Sequence, residues 1–172
     1  MNYKIIDNAL PQNSFIELQE IFFSNNFSWF YRDQTTDNVK DDSFYLTHSL
    51  FDRYQINSDH FIYVNSLFTP LLNIKSLNII RANLTFNLNK EIYADWHTDN
   101  DPYSLYDGSI VNFKTAIFYL NTNNGSTYLQ EENSLEIEAV ANRLLVFDGG
   151  IRHSNKFSTN TKRRIVLNFN YA

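Results

Sequence analysis

With 172 residues, the chain is long enough to bury one sizeable core and too short for two ordinary domains. A net charge of −5, with one basic run at Lys162, Arg163 and Arg164, argues against a broad nucleic-acid footprint, which needs Lys and Arg gathered over one face. With no cysteine, disulfides, sulfur-ligated zinc and iron–sulfur centres are excluded, so any metal must be held by imidazole, carboxylate, carbonyl or water.

Met1 to Leu10 lacks a charged segment followed by a long apolar run, and nowhere do eighteen apolar residues run uninterrupted. The expectation is a soluble cytoplasmic protein, away from membranes, folded as a single domain over 1–172. Its helical part covers about 1–76 and its β part about 77–172.

Pro11 suits a first helical turn, Ser14 and Glu17 match a capping box, and Phe15, Leu18, Ile21 and Phe22 recur at helical spacing. A helix of roughly Pro11 to Ser24 follows. Ser28 to His48 mixes aromatics with Asp33, Asp37, Asp41 and Asp42 and reads as a loop with one short strand. Ser58 or Asp59 is placed to cap a second helix carrying Phe61, Val64, Phe68 and Leu71, which Pro70 should kink or end.

From Leu77 the pattern changes to short alternating or continuous apolar runs: Ile79–Phe86, Val111–Leu120, Thr127–Gln130, Leu135–Val140, Leu144–Phe147 and Arg164–Tyr171. Asn-Gly and Gly-Gly pairs punctuate them. Helices followed by strands predict a mainly β, α+β fold, with the helices packed on the major sheet of a double-stranded β-helix, or cupin-like jelly roll.

Chemistry concentrates at His97, Thr98 and Asp99. On an extended segment residues i and i+2 project to the same side, so His97 and Asp99 can reach one metal while Thr98 points away. His153, far downstream, completes two imidazoles and one carboxylate, the facial triad of non-haem Fe(II) oxygenases, which leaves up to three positions open on an octahedral ion. An isolated H-x-D is weak evidence, and its context carries the specificity. His48 and His60 lack a carboxylate at i+2 and are read as ordinary structural histidines.

The last strand separates two adjacent arginines. Ile165, Leu167, Phe169 and Tyr171 share one face with Arg163, while Arg164, Val166, Asn168 and Asn170 share the other. Arg164, beside polar neighbours, is the better candidate to grip a carboxylate through its guanidinium fork.

Taken together these segments resemble the 2-oxoglutarate and Fe(II)-dependent oxygenases, nearest the prolyl 4-hydroxylase-like branch, over most of the chain. Thr115 to Asn121 (TAIFYLN) is similar to that branch's T-x-x-x-Y-L-N, and Asn124 to Leu129 (NGSTYL) to its G-G-x-T-x-F. Asn142 to Phe147 looks like the strand before the distal histidine, Arg164 to Phe169 like the co-substrate strand, and Met1 to Tyr31 like the N-terminal helix region of small members.

The resemblance implies His97, Asp99 and His153 as iron ligands, Arg164 as the partner of the distal 2-oxoglutarate carboxylate and Tyr119 as the hydroxyl joining that contact. It implies Fe(II), 2-oxoglutarate and O2, with ascorbate as a supportive reductant, and no catalytic residue beyond the metal and co-substrate sets. The implied reaction hydroxylates a C–H bond of a peptidyl or free amino-acid side chain, prolyl first, with succinate and CO2 as co-products. Three departures stand out: Asn124 replaces the motif's first Gly, Leu129 its final Phe, and Val166 the small polar residue two beyond the arginine.

Trp96, Arg81, Asn83, Tyr103 and Tyr106 are placed to line a substrate entrance. Two other readings compete. One is a non-catalytic jelly-roll module binding a sugar or metabolite. The other is an AlkB-like nucleic-acid demethylase, disfavoured by charge and by Asn170 standing where a second arginine is expected.

Overall fold

A computed structural model of the chain describes residues 3–33, 44–99, 103–104, 110–130 and 134–172, with backbone alone at 103, 104, 110 and 111. In chain order the elements are β1 (Tyr3–Ile6), α1 (Gln12–Phe23), β2 (Phe30–Arg32), β3 (Tyr45–Asp52), β4 (Gln55–Ile56), α2 (Phe61–Leu72), β5 (Leu77–Phe86), β6 (Tyr103–Ser104), β7 (Ile110–Val111), β8 (Lys114–Tyr119), β9 (Ser126–Leu129), β10 (Leu135–Glu138), β11 (Arg143–Asp148), β12 (His153–Lys156) and β13 (Arg163–Tyr171).

The major sheet runs β1-β11-β8-β13-β5-β3-β2, with β4 on β3; the minor sheet runs β10-β9-β12. Every pairing in both is antiparallel, and the pleat of the major-sheet strands turns their side chains alternately toward the helices and toward the minor sheet. On the helix side, Phe15, Leu18 and Phe22 of α1 and Phe61, Val64 and Phe68 of α2 pack on Ile80, Ala82, Leu84, Phe118, Ile165, Leu167 and Phe169. Phe68 is the hinge of that contact, with its ring 4.9 Å from Phe118 and 4.5 Å from Phe169.

A second cluster, including Ile117, Tyr119, Leu129, Ile137, Phe147 and Val166, fills the space between the sheets. The predicted mainly β fold, with helices covering the major sheet, is therefore the observed one. Among the described residues no helix is long and apolar enough to cross a membrane.

Local details differ from expectation. Pro11 is the N-cap of α1, and no side-chain cap bond forms, so Ser14 lies inside the helix. Glu17 accepts from the Tyr63 hydroxyl of α2, tying the helices together, instead of closing a capping box. Pro70 sits in the last turn of α2, which continues to Leu72 and stops at left-handed Asn73. In the segment read as loop, β2 forms and β3 begins before the segment ends; 34–43 lie outside the described residues. β1 joins the sheet edge beside β11, where left-handed Asn142 clamps Leu10 by donating to its carbonyl (2.8 Å) and accepting from its N–H (3.0 Å).

Candidate metal and anion site

The minor sheet is extended by residues 92–97, which run beside β12. Phe157 N–H donates to Ile92, Ala94 to Asn155, and His97 and His153 exchange both backbone hydrogen bonds, at 3.0 and 2.8 Å. That exchange sets the two histidines directly opposite each other, with ring centroids 4.4 Å apart. Each ring is then aimed by its own chain. His97 Nδ1 lies 2.9 Å from the Asp95 carbonyl and His153 Nδ1 3.2 Å from the Ile151 carbonyl. A carbonyl only accepts, so both Nδ1 atoms carry the proton and both Nε2 atoms present lone pairs.

Those lone pairs face Asp99. His97 Nε2 is 3.8 Å from Asp99 Oδ1 and His153 Nε2 3.7 Å from Oδ2, and one ligand atom from each residue falls within 4.8 Å of the others. The donor set of two neutral imidazoles and one carboxylate fits a divalent first-row ion. Asp99 Oδ2 also accepts from Thr115 Oγ1 (3.1 Å), Asn168 Nδ2 (3.2 Å) and Asn170 Nδ2 (3.0 Å), so β8 and β13 fix its orientation.

Burial pushes the Asp99 carboxyl upward, but the positive charge of His153 and His97 when they are protonated, with the Asn170 and Asn168 amides, outweighs it and holds the group below its ordinary value. Burial pulls His153 below the ordinary imidazole value against the attraction of Asp99. Both shifts favour the ligand-competent forms at neutral pH.

A cavity of about 780 Å³ opens from these three residues along the major sheet. The inward positions of β5 (Ile79, Arg81, Asn83, Thr85) and β13 (Arg164, Val166, Asn168, Asn170) form its floor. Arg164 is only 4% exposed. Its Nη2 donates to Thr127 Oγ1 at 3.2 Å, its Nε has no partner, and among the described residues it forms no ion pair with a carboxylate. Burial lowers its pKa, opposed only by Tyr119. A desolvated, unpaired guanidinium is costly, and a carboxylate ligand would relieve it. Thr85, opposite Arg164 in register, leaves a second buried polar atom, Oγ1, without a partner at the same point.

Arg163 lies on the helix side, stacked 4.6 Å over Phe23. Tyr119 is fully buried, and its hydroxyl donates to Thr127 Oγ1 at 2.8 Å, so Thr127 stands between it and the cavity. Trp96, Arg81 and Asn83 line the cavity, Arg81 held by Asp52 at 2.9 Å and Asn83 accepting from Thr47 Oγ1 at 2.9 Å. Tyr103 is described by its backbone in β6 only, and Tyr106 lies outside the described residues.

No family model and no curated protein matches the sequence. Solved structures do match. A Trichoplax adhaerens prolyl hydroxylase, in complex with a hypoxia inducible factor peptide fragment, superposes with a TM-score of 0.72 at 19% identity, covering 99% of this chain and 83% of that one. A Pseudomonas putida prolyl-4-hydroxylase gives 0.67 at 14%, covering 99% and 92%. The epimerase SnoN, in complex with Fe3+, α-ketoglutarate and nogalamycin RO, gives 0.67 at 12%, covering 99% and 78%.

The chain has the 2-oxoglutarate/Fe(II) oxygenase fold. Within that fold, sequence reasoning singled out the three clustered residues and Arg164 but passed over Thr127, Thr85 and Asp95. Asn168 and Asn170 were legible as inward positions of the last strand; their bonds to Asp99 needed the register of β13 against β8.

Proposed function

We propose that the protein is an Fe(II)- and 2-oxoglutarate-dependent dioxygenase that hydroxylates a C–H bond of an amino-acid side chain, free or peptidyl. The observation that carries this reading is the buried, unpaired Arg164 in the same cavity as His97, Asp99 and His153. A dianionic co-substrate that chelates a metal at one end has a cation waiting for its other end.

His97, Asp99 and His153 would hold the iron, and Arg164 would hold the distal carboxylate through a charge-assisted bond contributing about 1.5 to 3 kcal/mol. Thr127 orients that guanidinium and presents its own hydroxyl, while Tyr119 supports Thr127 from behind. The carbonyls of Asp95 and Ile151 keep each imidazole in the ligating tautomer. When bound, the iron and co-substrate supply the oxidising chemistry, converting 2-oxoglutarate and O2 to succinate and CO2 as the C–H bond becomes C–OH. Protein side chains then serve to bind, orient and exclude water.

Prolyl compounds are the first substrates to assay, supported by the sequence resemblance and by the two prolyl hydroxylases of the same fold. The co-substrate part is tested by calorimetric titration of 2-oxoglutarate into anaerobic Fe(II)-loaded protein. Saturable binding is expected only when metal is present, and it should be about tenfold or more weaker in an Arg164→Met variant. Equal binding by an Arg164→Met variant would sink the assignment.

A further inference from the structure

The cavity wall carries a carboxylate that neither the metal cluster nor Arg164 uses. Asp95 lies two residues before His97 on the stretch beside β12, where one extra residue between the Tyr93–Lys156 and His97–His153 pairs breaks the strand alternation, and it lines the same cavity. Its backbone is pinned by Ala94 N–H donating to Asn155 at 2.8 Å and by its own carbonyl accepting from His97 Nδ1 at 2.9 Å. The origin of its side chain is therefore held next to His97 by hydrogen bonds on both sides.

Asp95 Oδ2 is closed off from solvent and receives no hydrogen bond, and no Lys or Arg among the described residues pairs with it. The other ionic groups of the wall are accounted for. Asp99 has three donors and two imidazoles, and Arg81 is neutralised by Asp52. Arg152 donates to the Trp96 carbonyl at 3.0 Å and is exposed, so water screens the rest of its charge. Asp95 as a whole is half-buried and lines the cavity, and among the described residues it is the cavity-lining carboxylate left without a cation or a metal cluster to serve. A cationic donor that enters with the substrate is the group that best complements it.

We infer that Asp95 binds a positively charged nitrogen of the substrate, so that the molecule oxidised carries an ammonium or guanidinium group near the reacting carbon. Basic amino acids, amines and peptides presenting lysine or arginine fit this description; a neutral prolyl peptide does not. The inference rests on the oxygenase reading and narrows its substrate class.

The test measures succinate formed by Fe(II)-loaded protein with 2-oxoglutarate and O2, with matched probes: L-lysine against Nε-acetyl-L-lysine, L-arginine against L-citrulline, and lysyl peptides against prolyl peptides. The cationic member of at least one pair should raise succinate well above the level without substrate, and its neutral partner should not. Asp95→Asn should raise the KM for that probe about tenfold or more with a smaller change in kcat. Asp95→Lys should abolish stimulation, while Co(II) absorption shows that both variants still fold and bind metal.

Stimulation by neutral probes equal to that by cationic ones, an unchanged KM in Asp95→Asn, or stimulation by none of the cationic probes overturns the inference. Succinate formed without substrate, together with 2-oxoglutarate binding, leaves the oxygenase reading intact in each of those cases. If neither occurs in the wild type, it is the oxygenase reading that fails.

Discussion

Arg164 is where stability and function pull apart. A buried guanidinium bonded to one hydroxyl contributes little to folding, because its desolvation is not repaid by a counter-ion. Arg164→Met should therefore leave the melting temperature unchanged or raise it. The same change should weaken 2-oxoglutarate binding by roughly tenfold to a hundredfold or more, checked by calorimetry on metal-loaded protein. The alternation that separates Arg164 from Arg163 was legible in the sequence because apolar Ile165, Leu167 and Phe169 interleave with polar Arg164, Asn168 and Asn170. Tyr119 was less legible: its motif identifies the residue, but whether its hydroxyl meets the cavity depends on Thr127, a contact between β8 and β9 that no local pattern encodes.

Between elements, the turn into β9 sets the position of Arg164. A Cβ placed on Gly125 would meet Arg164 Cδ, Asn123 Oδ1 and the Lys156 backbone oxygen, each at 2.8 Å. The backbone oxygen has little freedom to yield, so Gly125→Ala should cost about 1 to 3 kcal/mol by denaturant unfolding. It should also raise the KM for 2-oxoglutarate by displacing the guanidinium stem. Phe68→Ala, which empties the contact between α2 and the major sheet, should cost about 3 to 5 kcal/mol while leaving metal affinity intact in the folded fraction. Helices and apolar strands were legible because their burial is periodic. β12 was not, since His-Ser-Asn-Lys carries no apolar signal and is a strand only because β9 and residues 92–97 flank it. β3 escaped for a related reason: its inward face carries Tyr45 and Thr47 and its helix side His48, so neither face reads as plainly apolar.

At the scale of the whole molecule, acid should weaken both fold and site. His48 is buried beside Phe27 with Nε2 unpartnered, and burial lowers its pKa below 6.5, with the Ser28 carbonyl opposing and His60 reinforcing. The folded protein thus prefers neutral His48, and the unfolded chain binds the extra proton first. Stability from this group is present above about pH 6.5 and is lost as pH falls through its depressed folded value. His153 acts in the same direction in the metal-free protein, and Asp99 adds a loss at still lower pH because its folded pKa lies below 3.8. Melting temperatures should therefore fall from pH 7 to pH 5, and His48→Gln should flatten part of that slope.

The triad and Arg164 should act as one working site. That joint action is tested most directly by succinate formation from 2-oxoglutarate and O2 with Fe(II), comparing the wild type with Asp99→Ala. Succinate is expected from the wild type and none above background from the variant, even though the variant remains folded. Equal succinate from both proteins, or no succinate and no 2-oxoglutarate binding by the wild type, would contradict it and leave the fold as a binding module without this chemistry.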